Sequence, residues 1–257
     1  MTAPWISSLC PIDSASVPVI KCTATAAALN IPAPQGISLS FFADIQHIPV
    51  DITFETGSHS GVATCEYVRR VLAETTDDLL SLVLVVKELL AQYGLNTPYS
   101  GGLSSYAVIL LAKASIELWR STQQPSRVFA ESVILDRKTS DDDEKDLTEN
   151  STTDKPSVGI LLVHFLRLYG RNFNPLTHGV DITRVDSPFF PISNPQQAFA
   201  ILVVDPLDPT KNVAKSTFAF RQIQWVLSQC LANLETAGCA MCHRNPHSEV
   251  LKLLIRY

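Results

Sequence analysis

The stretch TPYSGGLSSYAVILL, residues 97–111, sets two adjacent glycines and two serines directly before an apolar run of helical length. Gly101 and Gly102 permit a tight backbone path, and Ser104 or Ser105 can cap the helix that follows. The N–H groups of that first helical turn form a natural anion site, and Tyr106 offers a ring on which a base can stack. A glycine pair with serine caps is also an ordinary helix start, so this stretch alone leaves both readings open.

Outward from it the chain reads as mostly helical. DLLSLVLVVKELLAQY (78–93) is apolar almost all round, as a helix in the middle of a bundle would be, and Gly94 is a C-terminal stop. SSYAVILLAKASIELW (104–119), SVGILLVHFLRLYG (157–170) and 216–235 follow as further helices. After Gly61, VATCEYVRRVL spaces Val62, Cys65, Val68 and Val71 along one side of an amphipathic helix. VPVIKC (17–22) and PVDITF (49–54) are rich in β-branched residues and read as short strands, with 23–48 a loop or a poorly formed hairpin. FAILVV (199–204) reads as a buried strand running into DPLDP. The organisation expected is a small α/β portion followed by a mostly helical one.

Three further residues carry chemical interest. Asp51 follows Pro49 at the start of a strand, where a carboxylate at a sheet rim can take a hard divalent cation; taken alone, local hydrogen bonding of a strand-entry aspartate is the more ordinary reading. Lys87 is the one cation in LLSLVLVVKELL and must reach solvent or meet an anion, for which a phosphate would serve. In VVDPLDPTKNVAKS (203–216) a buried strand delivers Asp205 into a Pro-braced turn, a rigid loop able to hold a carboxylate edge-on to a nucleobase.

The 257 residues are 46% hydrophobic, enough for a substantial core, and carry a net charge of −5. Segment 136–155 holds eight acids against four bases and so accounts for −4 of that total, leaving the remainder near neutral. Basic pairs such as Arg69 with Arg70, or Lys211 with Lys215, thus remain able to meet phosphates. The same segment has few apolar residues and reads as a disordered acidic insert. Its Asp141 and Asp143 form a D-x-D with no apolar strand beside it to fix a metal site. MTAPWISSLC has neither the basic head nor the apolar run of a secretory signal or membrane anchor. Six cysteines fit reduced thiols, although Cys239, Cys242, His243 and His247 near the end have spacing that a zinc ion can use.

Taken in order, VPVIK with VDITF, LVLVVKELLAQYGLN, GGLSSY, GILLVHFLRLYGRNFN and VVDPLDPTKNVAKS resemble the noncanonical poly(A) polymerases and terminal uridylyltransferases, with LYGRNFN leaning toward the nuclear, Trf-type poly(A) branch. The resemblance implies an α+β fold: a partial nucleotidyltransferase palm with a short mixed sheet over 1–72, then a mostly α-helical central, PAP-associated domain over 73–257. It implies template-independent addition of nucleotides to RNA 3′ ends, with Mg²⁺ or Mn²⁺ as cofactor and ATP as substrate. An RNA-binding accessory protein in a TRAMP-like complex is the implied partner, and a nuclear location is implied, with the cytoplasm as the alternative. Asp51 matches the third of three metal-binding carboxylates. Lys87 matches the lysine that reaches the triphosphate, Ser105 the serine beside it, and Tyr106 the tyrosine that stacks on the base. Asp205 matches the acid of the base-recognition loop. Lys211, followed by Asn212, stands where uridine-selective members carry histidine, which favours ATP. The other two carboxylates come from a Gly-Ser turn and D-x-D upstream of the segment that 12–21 resembles, and residues 1–11 contain neither. The expectation is therefore a chain lacking the N-terminal part of the catalytic domain and inactive alone, the alternative being a pseudoenzyme that binds nucleotide or RNA as a scaffold subunit.

Overall fold

The computed structural model describes residues 5–13, 18–25, 47–54, 60–75, 78–122, 156–192 and 201–241. The expected acidic insert and the His243 and His247 positions lie outside them, as does the Cys239 and Cys242 side-chain geometry. The chain divides into two compact units, Met1–Tyr67 and Val68–Tyr257.

The first unit carries β1 (Ile6–Ile12), β2 (Val19–Thr25) and β3 (His47–Thr53) in the order β1-β2-β3. Both pairings are antiparallel, with Leu9 opposite Cys22 and Lys21 opposite Asp51. The sheet expected to be mixed is thus antiparallel throughout its described strands. For β1 and β2 chain geometry explains this: the six residues between them suffice for a turn, whereas a parallel return needs a crossover of about a dozen residues or more. The sequence reading missed β1, because ISSLCPI is exposed along most of its length and holds a proline, both permissible on an edge strand. β2 is central and alternates, burying Cys22 and Ala24.

Helix α1 (Gly61–Glu74) buries only Val71 of its expected apolar stripe, leaving Val62 and Cys65 exposed. In the second unit α2 (Asp78–Gln92), α3 (Ser105–Thr122) and α4 (Val158–Arg167) pack pairwise, and α5 (Phe220–Met241) packs on α4 and the turn after it. Leu79, Leu82, Leu89 and Leu90 of α2 meet a core shared with Leu110, Leu111 and Ile116 of α3 and Leu161, Phe165 and Leu166 of α4, all almost fully buried. At about 2 kcal/mol per buried side chain, this core rather than the short strands holds the unit together. Leu80 and Leu84 stay exposed, so α2 is not enclosed on every side as its composition suggested.

After α4 the chain widens into a π-helical turn, Leu168–Asn172, closed by Phe173 N donating to Leu168 O at 2.7 Å. The Gln224 amide of α5 donates to the Tyr169 and Phe173 carbonyls at 3.2 and 2.8 Å, satisfying groups that the wider turn frees. Tyr169 is buried among Phe165, Phe173 and Phe189, and its hydroxyl donates to Leu111 O at 2.9 Å. The LYGRNFN stretch is therefore an aromatic joint between helices. Beyond it, β4 (His178–Val180) pairs with β5 (Phe189–Pro191), and β6 (Val204–Asp205) with β7 (Asp208–Asn212), all antiparallel.

His164 of α4 lies 3.0 Å from the hydroxyl of the buried Ser115 on α3. Burial, helped by the Arg167 cation, lowers its pKa from 6.5 to about 4. A proton then prefers the unfolded chain. The stability this neutral imidazole preserves is complete above pH 6.5 and is lost as pH falls toward 4, on the order of 3 kcal/mol across that window. Chemical denaturation at pH 7 and pH 4.5 should show His164→Gln losing less stability between the two than the parent; equal losses would contradict the assignment.

Candidate nucleotide-binding site

The site grows from a closed loop between α2 and α3. Leu103 N donates to Leu95 O at 2.9 Å and Gly102 N to Thr97 O at 3.0 Å, while the Ser100 hydroxyl donates to Gly94 O and Thr97 O. Gly101 has φ +81° and sits under the Phe218 ring, where a Cβ would lie 2.4 Å from Cε2. A Cβ at Gly102 would lie 2.2 Å from the Leu95 carbonyl oxygen. Both glycines are therefore required, one by backbone sign and ring contact, the other by backbone approach.

Ser104 caps α3, its hydroxyl accepting from Ala107 N at 3.1 Å. Ser105 is exposed at the first helical position, and Tyr106 follows, half-buried. The Tyr106 hydroxyl donates to Asp205 Oδ1 at 3.0 Å, and the same oxygen accepts from Leu207 N at 3.0 Å. Asp205 is only 6% exposed. Its Oδ2 accepts no hydrogen bond among the described residues, leaving a buried acceptor directed by a fixed Oδ1.

The Asp205 loop is braced by Asn212. Its Oδ1 accepts from Val203 N and Ala214 N at 3.0 and 2.9 Å, and its Nδ2 donates to Ile201 O at 3.1 Å. That side chain is committed to the hairpin. Lys211 is exposed and pairs with Asp208 at 3.2 Å, and hydrogen bonds from Thr210, with help from Lys211, hold the Asp208 carboxyl below its usual pKa. The loop and the glycine turn are stitched together, the Thr217 hydroxyl donating to Gly102 O at 3.2 Å and Ala219 N to Gly101 O at 3.0 Å. Sequence reasoning missed Thr217 and Phe218; the only signal was their place just after NVAKS.

The structure thus joins Tyr106, Asp205 and Asn212, with Ser105 beside Tyr106. Lys87 is half-buried on α2, which packs against α3, and has no ion pair among the described residues. Asp51 belongs to the first unit, exposed on β3, the outer of the described strands, opposite Lys21. Among the described residues no three His, Cys, Asp or Glu side chains gather as a metal site, and one carboxylate does not fit a two-metal centre.

The family described as Cid1 family poly A polymerase matches residues 157–211. Poly(A) RNA polymerase protein 1 of Eremothecium gossypii is 26% identical over 193 residues, 72% of this chain and 26% of that protein. The chain spans about a quarter of the length of that relative. The polymerase core of TRAMP, described as an RNA surveillance complex, superposes with a TM-score of 0.63 at 22% identity, covering 98% of this chain and 67% of that one. The Cid1 poly(U) polymerase with Mg 3′-dATP bound superposes at 0.59 and 18% identity, covering 97% and 71%.

Proposed function

We propose, for a chain that belongs to the noncanonical poly(A) polymerase family, that its helical unit is the nucleotide-binding part of a template-independent RNA 3′-end nucleotidyltransferase, with ATP as the nucleotide. The observation that carries this is the Tyr106–Asp205 pair, a ring fixed by its hydroxyl to a buried carboxylate that keeps one oxygen for an incoming donor. A base stacked on Tyr106 places a ring or exocyclic N–H within reach of Asp205 Oδ2. The first-turn N–H groups of α3, the Ser105 hydroxyl and the Lys87 ammonium are the cationic and donor groups for the triphosphate. Lys211 in place of a uridine-selecting histidine favours adenine. An RNA-binding accessory protein and a nuclear location belong to the same reading.

Mg²⁺ supplies charge neutralisation to such transfers, but the described residues do not assemble its site. The 257-residue polypeptide alone is expected to bind nucleotide and transfer none. Incubation with an oligo(A) primer, ATP and Mg²⁺ should leave the primer unextended; extension abolished by Asp51→Ala would overturn this expectation.

The binding reading is tested by photolabelling with 8-azido-ATP and peptide mapping. Label competed by ATP should fall on peptides containing Tyr106 or Asp205. Label confined to other peptides, or indifferent to competing ATP, would refute the site.

A further inference from the structure

We infer that the exposed rings of Tyr99, Phe218 and Trp225, with Lys215 and Arg221 between them, form a stacking track for single-stranded RNA leading to the nucleotide site, an inference that rests on the function proposed above. These rings are 79%, 62% and 59% exposed, although aromatic side chains gain more from burial than most. Their placement is built in. Phe218 lies against Gly101, in a segment pinned by the Thr217–Gly102 and Ala219–Gly101 hydrogen bonds, so it is fixed to the turn that begins α3 and presents Tyr106. Tyr99 stands two residues before Gly101, in the single turn Pro98–Ser100. Trp225 lies on α5 seven residues after Phe218, with Arg221 one turn before it on the same face.

The charge between the rings selects the occupant. Residues 209–234 carry Lys211, Lys215 and Arg221 and no aspartate or glutamate. Lysine is depleted in the core of protein interfaces, whereas alternating cations and exposed rings suit a strand with a phosphate and a base in each repeat. Continuity with the glycine turn makes the strand's 3′ end, rather than its middle, the part brought to Tyr106.

Fluorescence anisotropy of a labelled single-stranded oligo(A) with the full 257-residue chain tests this, read as affinity over a series of salt concentrations. Trp225→Ala, at an exposed position, should weaken binding about tenfold without changing the slope of log affinity on log salt, and Trp225→Phe should restore most of it. Lys215→Ala with Arg221→Ala should instead flatten the slope by about 1.4, the value for two phosphate contacts to a single strand. Photolabelling by 8-azido-ATP at Tyr106 should persist in both. Wild-type affinity in Trp225→Ala, or absence of oligo(A) binding in the parent, overturns the track, and does so without touching the nucleotide site if the ATP label persists. Loss of self-association in Trp225→Ala with RNA affinity intact would also overturn it, identifying a protein-binding surface.

Discussion

Asp205→Ala is expected to weaken ATP binding about 100-fold. In the proposed site the carboxylate acts twice. Its Oδ1 receives the Tyr106 hydroxyl and thereby fixes that ring, while in the proposed site Oδ2 is the acceptor for the base. A hydrogen bond to a charged group contributes about 1.5–3 kcal/mol, so losing the base contact and the ring's anchor accounts for a change of that size. Asp205→Asn keeps an Oδ1 acceptor for Tyr106 and Leu207 N and should lose only about tenfold. Tyr106→Phe keeps the ring and loses its anchor, and should fall near the same value. Displacement of a fluorescent ATP analogue ranks the three. Unchanged ATP affinity in both Asp205→Ala and Asp205→Asn would mean that the loop carbonyls, not the carboxylate, meet the base.

The second large effect is expected at Gly102. An alanine there puts its Cβ at 2.2 Å from the Leu95 carbonyl oxygen, and neither side can move independently. Leu95 O is the acceptor of Leu103 N, Gly102 N is bound to Thr97 O, and Gly102 O receives the Thr217 hydroxyl. Relief of the clash therefore opens the turn that connects α2 to α3 and the loop behind it. Gly102→Ala should cost about 3 kcal/mol, the upper part of the range for overpacking. That corresponds to a fall in Tm of about 6–12 °C for a domain of this size. Gly159→Ala, where a Cβ would find only ordinary contact with Ser157 Oγ, should change Tm little. Similar Tm values for the two variants would show that the turn yields more easily than its hydrogen bonds imply.

These two residues also show where the sequence was legible. Helices of the second unit could be read from apolar period and capping serines, because burial of a helix face leaves a local signature. GGLSSY announced a tight turn and helix start for the same reason. Non-local geometry left no such mark. That Tyr106 and Asp205, 99 positions apart, belong to one site came into view only through resemblance, while their shared hydrogen bond and the cover of Phe218 over Gly101 were invisible. Asn212 illustrates the converse. Its place beside Lys211 suggested base recognition, yet its amide is occupied by the backbone of its own hairpin, a competition for hydrogen bonds that composition cannot reveal. β1 escaped notice because an exposed edge strand with a proline lacks the alternating pattern by which strands are recognised.

The most direct test is calorimetric titration of ATP into the purified 257-residue chain and into its Tyr106→Ala variant. Saturable binding at one site per chain, weakened at least tenfold by the loss of the ring, is the result the nucleotide-site reading predicts. Absence of saturable binding at millimolar ATP, or an affinity indifferent to Tyr106→Ala, would contradict it.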